Sequence, residues 1–343
     1  MVSSIKKVSI PAIILLILSG VFFFYHAART VQIVGSERNG NVNGIAAIFP
    51  GIPIPETDRI DILILGIRGL GDDPKEENNG ELLADSIILL SYDTKRNKAS
   101  IVSIPRDLYA EIPGYGKEKI NAAYAIGEDR NYGYGRKGLE LSEALLSVIS
   151  GVYIDYAMRI DFDGFKKIID QLGGITIHRD SPFEEPRQWI HDGKNESAYW
   201  RLDQAGWTFY VPKGSNLLTA EDALYYARSR YSSTDFDRMA RQQEVIAALK
   251  TKALSLGVLA NPVKIFQILD VIKDHVRTDM PISKIKELVE LARKAKIQDY
   301  RHEVLTSGEG GLLYEDSVDG RFVLLPKDGD YSKIQEFFKS ILE

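Results

Sequence analysis

Residues 8–25, VSIPAIILLILSGVFFFY, run for 18 positions without a charge and follow directly on Lys6 and Lys7. No other stretch limits the possible folds as strongly. A helix crossing a bilayer needs about 17–25 apolar residues, whereas a secretory apolar region is shorter, about 7–15. The segment is apolar on every face, so it does not read as one side of a core helix. A retained transmembrane anchor is the expectation, with Ala27-Ala28 leaving cleavage as the alternative. The lysine pair favours residues 1–7 as a cytoplasmic tail and everything beyond residue 25 outside. The expected location is therefore the cell membrane, single-pass, with an extracytoplasmic body.

Residues 26–57 carry Gly35, Gly40, Gly44, Gly51, Pro50, Pro53 and Pro55 and read as a linker. The body is expected from residue 58. Net charge is −5, and residues 1–25 contribute only two lysines, so the remainder stands at −7. An acidic body argues against nucleic acid as a partner. The chain has no cysteine, which excludes thiol nucleophiles, disulfides and cysteine-based zinc sites. Its five histidines are scattered without a metal-like i, i+4 pair.

Within the body, short apolar runs at 60–66, 85–92, 99–104, 154–160 and 175–178 predict strands. Amphipathic spacing predicts helices over 139–150, 162–172, 219–228 and 236–256, the first stopped by Gly151 and the second by Gly173-Gly174. Thr219 followed by Asp222 resembles a capping box. Alternating strands and helices predict an α/β layered sheet. The charged, tryptophan-bearing stretch 183–206 reads as a surface excursion. After residue 257, helical patterns at 263–275 and 282–296, a strand pair around Gly308–Gly311 and Gly320, and a helix over 331–342 predict a C-terminal extension, 258–343, packed on the body.

Two charged clusters carry candidate chemistry. Ser103-Ile104-Pro105-Arg106-Asp107 ends an apolar strand, where open α/β sheets place ligands. Alone, Arg106-Asp107 reads first as a surface ion pair at a strand end. Arg228, Arg230, Arg238 and Arg241 fall within 14 residues, with Gln242 beside the last. Arg238, Arg241, Gln242, Val245 and Leu249 follow helical spacing and read as one face, polar at its start and core further on. Asp235, Asp237 and Glu244 are too few to neutralise four cations, and guanidinium forks match phosphate oxygens. Spacing alone leaves open whether these arginines line a phosphate pocket or an exposed helix start.

Four ordered segments resemble the LytR–CpsA–Psr family: ADSIILLSYDTKRNKASIVSIPRDLY (84–109), EKINAAYAIG (118–127), IDYAMRIDFDGFKKIIDQLGGI (154–175) and LTAEDALYYARSRYSSTDFDRMARQQEVI (218–246). The resemblance covers the body from about residue 60 to 250. It implies a layered α-β-α domain with a central mixed sheet over 58–257, and an extracytoplasmic phosphotransferase moving a glycopolymer from a polyprenyl-pyrophosphate carrier to a peptidoglycan hydroxyl. Carried over by motif, Asp85 is the implied Mg²⁺ ligand. Arg106, Arg228, Arg230, Arg238 and Gln242 are the implied pyrophosphate binders, and Arg241 stands in the same motif. Lys119 and Asn121 belong to the second segment. Asp107 and Asp235 would orient arginines, and Asp235 or a neighbouring acid is a candidate for the acceptor proton. The chain departs from the family at Gly66-Ile67-Arg68-Gly69, where an arginine stands in place of an aspartate. A lipid-carrier binding or regulatory module, or a pyrophosphatase, are the rival readings.

Overall fold

The computed structural model describes residues 49–69, 81–129, 137–188, 197–204, 206–256, 270–281 and 300–343, together with 268, 284 and 287. Residues 8–25, nearly all of the linker, nearly all of 282–296 and parts of 183–206 and 263–275 lie outside them. Among the described residues no helix is long and apolar enough to cross a membrane.

The elements run in the order β1 (Arg59–Ile67), β2 (Ala84–Asp93), β3 (Lys98–Ser103), β4 (Tyr109–Ile112), β5 (Gly116–Lys119), α1 (Ala123–Glu128), α2 (Gly138–Ser150), β6 (Tyr156–Asp161), α3 (Phe162–Gln171), β7 (Ile175–Arg179), β8 (Phe183–Gln188), β9 (Trp200–Asp203), β10 (Gly206–Val211), β11 (Gly214–Leu218), α4 (Ala220–Arg228), α5 (Asp235–Ser255), β12 (Val276–Thr278), β13 (Tyr300–Val304), β14 (Leu313–Val318), β15 (Arg321–Pro326) and α6 (Ser332–Ser340). Six strands form a central sheet in the order β12-β6-β1-β2-β3-β13. β1 and β6 run parallel, as do β3 and β13, and the remaining pairs are antiparallel, so the sheet is mixed.

The middles of β1 and β2 are unbroken apolar runs, 62–65 and 87–90, because both faces of the sheet are covered. Leu63, Leu65, Ile67, Ile87 and Leu89 point to a tightly packed layer with α2 and Phe338 of α6. Ile60, Ile62, Ile88, Leu90 and Ile101 point the other way. Period-two alternation thus sorts each strand between a closed face and the face that carries the site.

Helix ends follow their expected chemistry. Gly151 takes a left-handed φ of 68° behind α2, as only glycine does readily. Asp161 caps α3 by accepting from Gly164 N at 2.9 Å. Thr219 and Asp222 exchange both bonds of a capping box at α4, and Thr234 and Asp237 do the same at α5.

Three expectations need correction. The stretch 183–206 is not a mere surface excursion, since β8, β10 and β9 form a three-stranded sheet that buries Phe183, Phe209 and the Glu185 side chain. The strand pair is β14–β15, turning at Asp319-Gly320, both with positive φ, whereas Gly308–Gly311 belongs to the loop before it. Finally, residues 300–343 pack on the body as expected but are more than an extension, since β13 is an edge strand of the central sheet.

Candidate functional site

Sheet register sets the first half of the site. Ser103 at the end of β3 pairs with Ile88 of β2. Three residues beyond that pair, in opposite chain directions, stand Arg106 and Asp85, and Arg106 Nη1 donates to Asp85 Oδ1. Arg106 Nε lies 3.8 Å from Asp107 Oδ2 and 4.0 Å from Asp235 Oδ1. Asp107 is buried and receives Lys119 Nζ at 2.6 Å, which places Lys119 behind the arginine. Asn121 is buried, and its backbone N–H donates to Arg106 O at 3.3 Å, holding the motif loop.

The second half comes from α4, α5 and the loop between them. Asp235 is its hub: Oδ1 lies 2.9 Å from Arg238 Nη2 and 3.6 Å from Arg230 Nη1. Arg238 also reaches Asp85 O at 3.3 Å. Arg228 stacks over the Phe162 ring at 4.5 Å from its centroid. Burial pushes the Arg238 guanidinium down to about 10; Arg106 adds to the effect, while Asp235 and Asp85 oppose it. Burial likewise lowers Arg228, with Asp85 opposing and Arg68 adding. The Nε donors of Arg106 and Arg238 are buried without a hydrogen-bond acceptor among the described residues. An acceptor supplied from elsewhere would satisfy them; Arg159 and Arg179 Nε, outside this group, are in the same condition.

These residues form the polar mouth of a cavity of about 390 Å³. Asp85, Ser86, Arg106, Arg228, Arg230, Arg238 and Gln242 line the mouth. Behind them the walls are apolar: Ile88, Leu90 and Ile101 from the sheet, Phe165 and Ile168 from α3, and Val245 and Leu249 from α5. Val245 and Leu249, read from spacing as core, pack in it and also face the cavity. The apolar residues of α2 pack on the opposite face of the sheet.

The structure therefore gathers Asp85, Arg106, Arg228, Arg230, Arg238 and Gln242 around one opening, with Asp107, Asp235, Lys119 and Asn121 behind or beside them. Arg241 is placed elsewhere. It donates from Nε to Tyr226 O at 3.1 Å, from Nη2 to Ser229 O, and to Ser233 Oγ at 3.0 Å. Three residues along a helix turn the side chain about 60° from Arg238, enough to carry it off the cavity stripe. Trp200 packs on Tyr225 and Phe209 and donates to Asp222, so it belongs to the interior. Sequence reasoning missed Asp161, which lines the cavity while engaged by Arg159 and His275. Its place after a strand and before a helix was the available signal.

Arg68 is exposed at the end of β1, and its carbonyl accepts from Phe162 N at 3.3 Å. Among the described residues no group of three histidines or acids could hold a metal on its own. Asp85 remains partly exposed at the mouth, a hard oxygen donor. One carboxylate fits a Mg²⁺ ion that takes its other ligands from substrate phosphates and water.

Among curated relatives, regulatory protein MsrR of Staphylococcus aureus is 31% identical over 236 residues, covering 68% of this chain and 60% of that protein. The polyisoprenyl-teichoic acid–peptidoglycan teichoic acid transferase TagU of Bacillus cereus is 30% identical over 232 residues, covering 67% and 63%. The match thus spans under two thirds of the length of these relatives. In fold, the solved structure described as TagT bound to LI-WTA aligns with a TM-score of 0.55 at 20% identity, covering 83% of this chain and 91% of that one. The LytR_cpsA_psr family model matches residues 27–337, nearly the whole chain and both halves of the arginine cluster; this protein belongs to the LytR–CpsA–Psr family.

Proposed function

We propose that this protein is a phosphotransferase that moves a glycopolymer from a polyprenyl-pyrophosphate carrier onto a peptidoglycan hydroxyl. One observation carries the reading. Arginines from two distant stretches of chain converge at the mouth of an apolar cavity, and two of their buried donors have no acceptor among the described residues. A doubly charged head with an oily tail supplies both missing partners. The name of the related TagU describes the same chemistry.

In this reading the carrier's first isoprene units lie between the sheet, α3 and α5, where apolar contact holds them. Its pyrophosphate meets Arg106, Arg228, Arg230, Arg238 and Gln242. The acceptor hydroxyl oxygen bonds to the sugar-side phosphorus, and the bond from that phosphorus to the bridging oxygen breaks. The electron pair stays on polyprenyl phosphate, and the hydroxyl proton leaves to water or a nearby acid. Such transfer needs alignment and charge neutralisation more than covalent help. Arg106 and Arg238 are pre-set for this by Asp85, Asp107 and Asp235, so little reorganisation remains. Asp235, ringed by three guanidinium groups, acts as their organiser. When bound, Mg²⁺ would be held by Asp85 and would add positive charge beside the phosphates. Residues 8–25 would anchor the body at the membrane, where the carrier lies.

The test is transfer by full-length protein in detergent, with a polyprenyl-pyrophosphate glycan and a peptidoglycan acceptor. Arg106→Ala and Arg230→Ala should abolish product while circular dichroism stays unchanged. Transfer by either variant at the wild-type rate refutes the assignment.

A further inference from the structure

The loop between α4 and α5 carries Arg230 and delivers Asp235, yet Arg230 is half exposed and makes only a loose 3.6 Å pairing with Asp235. A long side chain so held depends on its backbone for its position. That backbone is gripped from two sides by groups outside the cavity.

From β8, the Glu185 carboxylate, only 2% exposed, accepts from Tyr231 N through Oε1 and from Ser232 N through Oε2 at 3.1 Å. Ser232 Oγ lies within hydrogen-bond reach of the same Oε2 and of Glu184 O. From α5, Arg241, 5% exposed, donates to the carbonyls of Tyr226 and Ser229 and to Ser233 Oγ. Its guanidinium rests on the Phe183 ring, 4.7 Å from the centroid, two residues before Glu185. An anion thus holds the loop's N–H groups and a cation holds its carbonyls. Two successive N–H groups aimed at one buried carboxylate leave the loop little freedom, because rotating either peptide would strand a charge in the interior.

We infer that Glu185 and Arg241 are positioning residues that fix the 229–234 loop, and through it Arg230, for pyrophosphate. This deepens the proposed function and rests on it for the identity of the ligand. Neither group touches the cavity: Arg241 lies behind the helix that lines it, and Glu185 belongs to the three-stranded sheet. The role predicts an effect on ligand binding that passes chiefly through Arg230, the loop's own residue at the cavity mouth.

The experiment uses full-length protein in detergent, with farnesyl pyrophosphate as the probe. Glu185→Gln keeps one acceptor oxygen but turns an NH₂ toward the loop's N–H groups. Amide exchange in the peptide covering 229–234 should rise at least about tenfold, while exchange in the central sheet stays as in the wild type. Affinity for the probe should fall about tenfold or more, the usual effect of losing hydrogen bonds to a charged group. In an Arg230→Ala background the same substitution should change affinity less than about twofold, since the pathway is already cut. If Glu185→Gln fails to fold, Ser232→Ala removes one bond at an exposed position and should raise exchange in the same peptide alone. Unchanged exchange at 229–234 in either variant overturns the proposal. So does a loss of affinity equally large with Arg230 absent. Failure of the wild type to bind the probe refutes the pyrophosphate reading instead, and the exchange measurement still decides whether Glu185 holds the loop.

Discussion

Arg238 and Arg241 stand one helical turn apart, both buried, and should respond to Arg→Met in opposite ways. Arg238 is held down to about 10 by burial and by Arg106, which raises the free energy of its charged form by about 3 kcal/mol. For a base with a depressed folded value, this destabilisation is present in full below the folded value and fades as pH rises towards the unfolded one, so it is complete at pH 7. Arg238→Met relieves it, and the favourable pull of Asp235 and Asp85 is already contained in that figure. Asp235 keeps Arg230 and Arg106 nearby. Stability should therefore hold or rise, by up to about 3 kcal/mol. Binding should not survive as well: loss of a charge-assisted contact to phosphate predicts roughly 30-fold weaker affinity for farnesyl pyrophosphate. Arg241→Met instead strands the buried carbonyls it serves and should cost about 3 kcal/mol of stability. Urea unfolding and isothermal titration on the full-length protein separate the cases. A strongly destabilised Arg238→Met that still binds as the wild type, or an Arg241→Met with unchanged stability, would refute the division of labour.

Three further expectations follow. Asp85→Asn removes the one acid at the cavity mouth that pairs with Arg106, and should raise the Mg²⁺ concentration needed for half-maximal transfer about tenfold or more; an unchanged Mg²⁺ titration contradicts the assignment. Leu249→Trp fills the apolar cavity and should abolish binding of farnesyl pyrophosphate while inorganic pyrophosphate binds as before, both read by titration. Lys250 is buried and its amine is pushed down to about 8 by burial. Below that value the charged form destabilises the fold, and stability should climb as pH rises from about 8 towards 10.5, where only the unfolded chain still holds the proton. Lys250→Met should remove this climb and add up to about 3 kcal/mol at pH 7 in urea unfolding.

Much of this molecule is legible in its sequence, and what is not has physical causes. The strands at 60–66, 85–92 and 99–104 announce themselves because both sheet faces are covered and each holds an apolar run at its middle. Arg106 and Asp85 could be named from motif, but only the register of Ser103 with Ile88 shows that they touch. Val245 and Leu249 read as core and are core, but spacing does not show that they also face the cavity. Arg241 joined the binding stripe because helical spacing cannot separate the middle of a face from its margin. Glu185 left no trace: in Phe-Glu-Glu-Pro-Arg-Gln only Phe183 marks an inward side, and an acid two residues on is ordinarily solvated.

The parallel pairing of β13 with β3 has a consequence for how the molecule comes into being. Ser103 meets Val304, Leu305 N donates to Ser103 O, and Leu324 N donates to Asp107 O. The Arg106 loop is thus braced by residues synthesised about two hundred positions later, a long-range closure of the kind that slows folding. Until they arrive, β3 is an open edge able to pair with other chains. A ribosome stalled before residue 300 would release a polypeptide carrying every arginine of the cluster, an unbraced Arg106 loop and a bare, sticky strand.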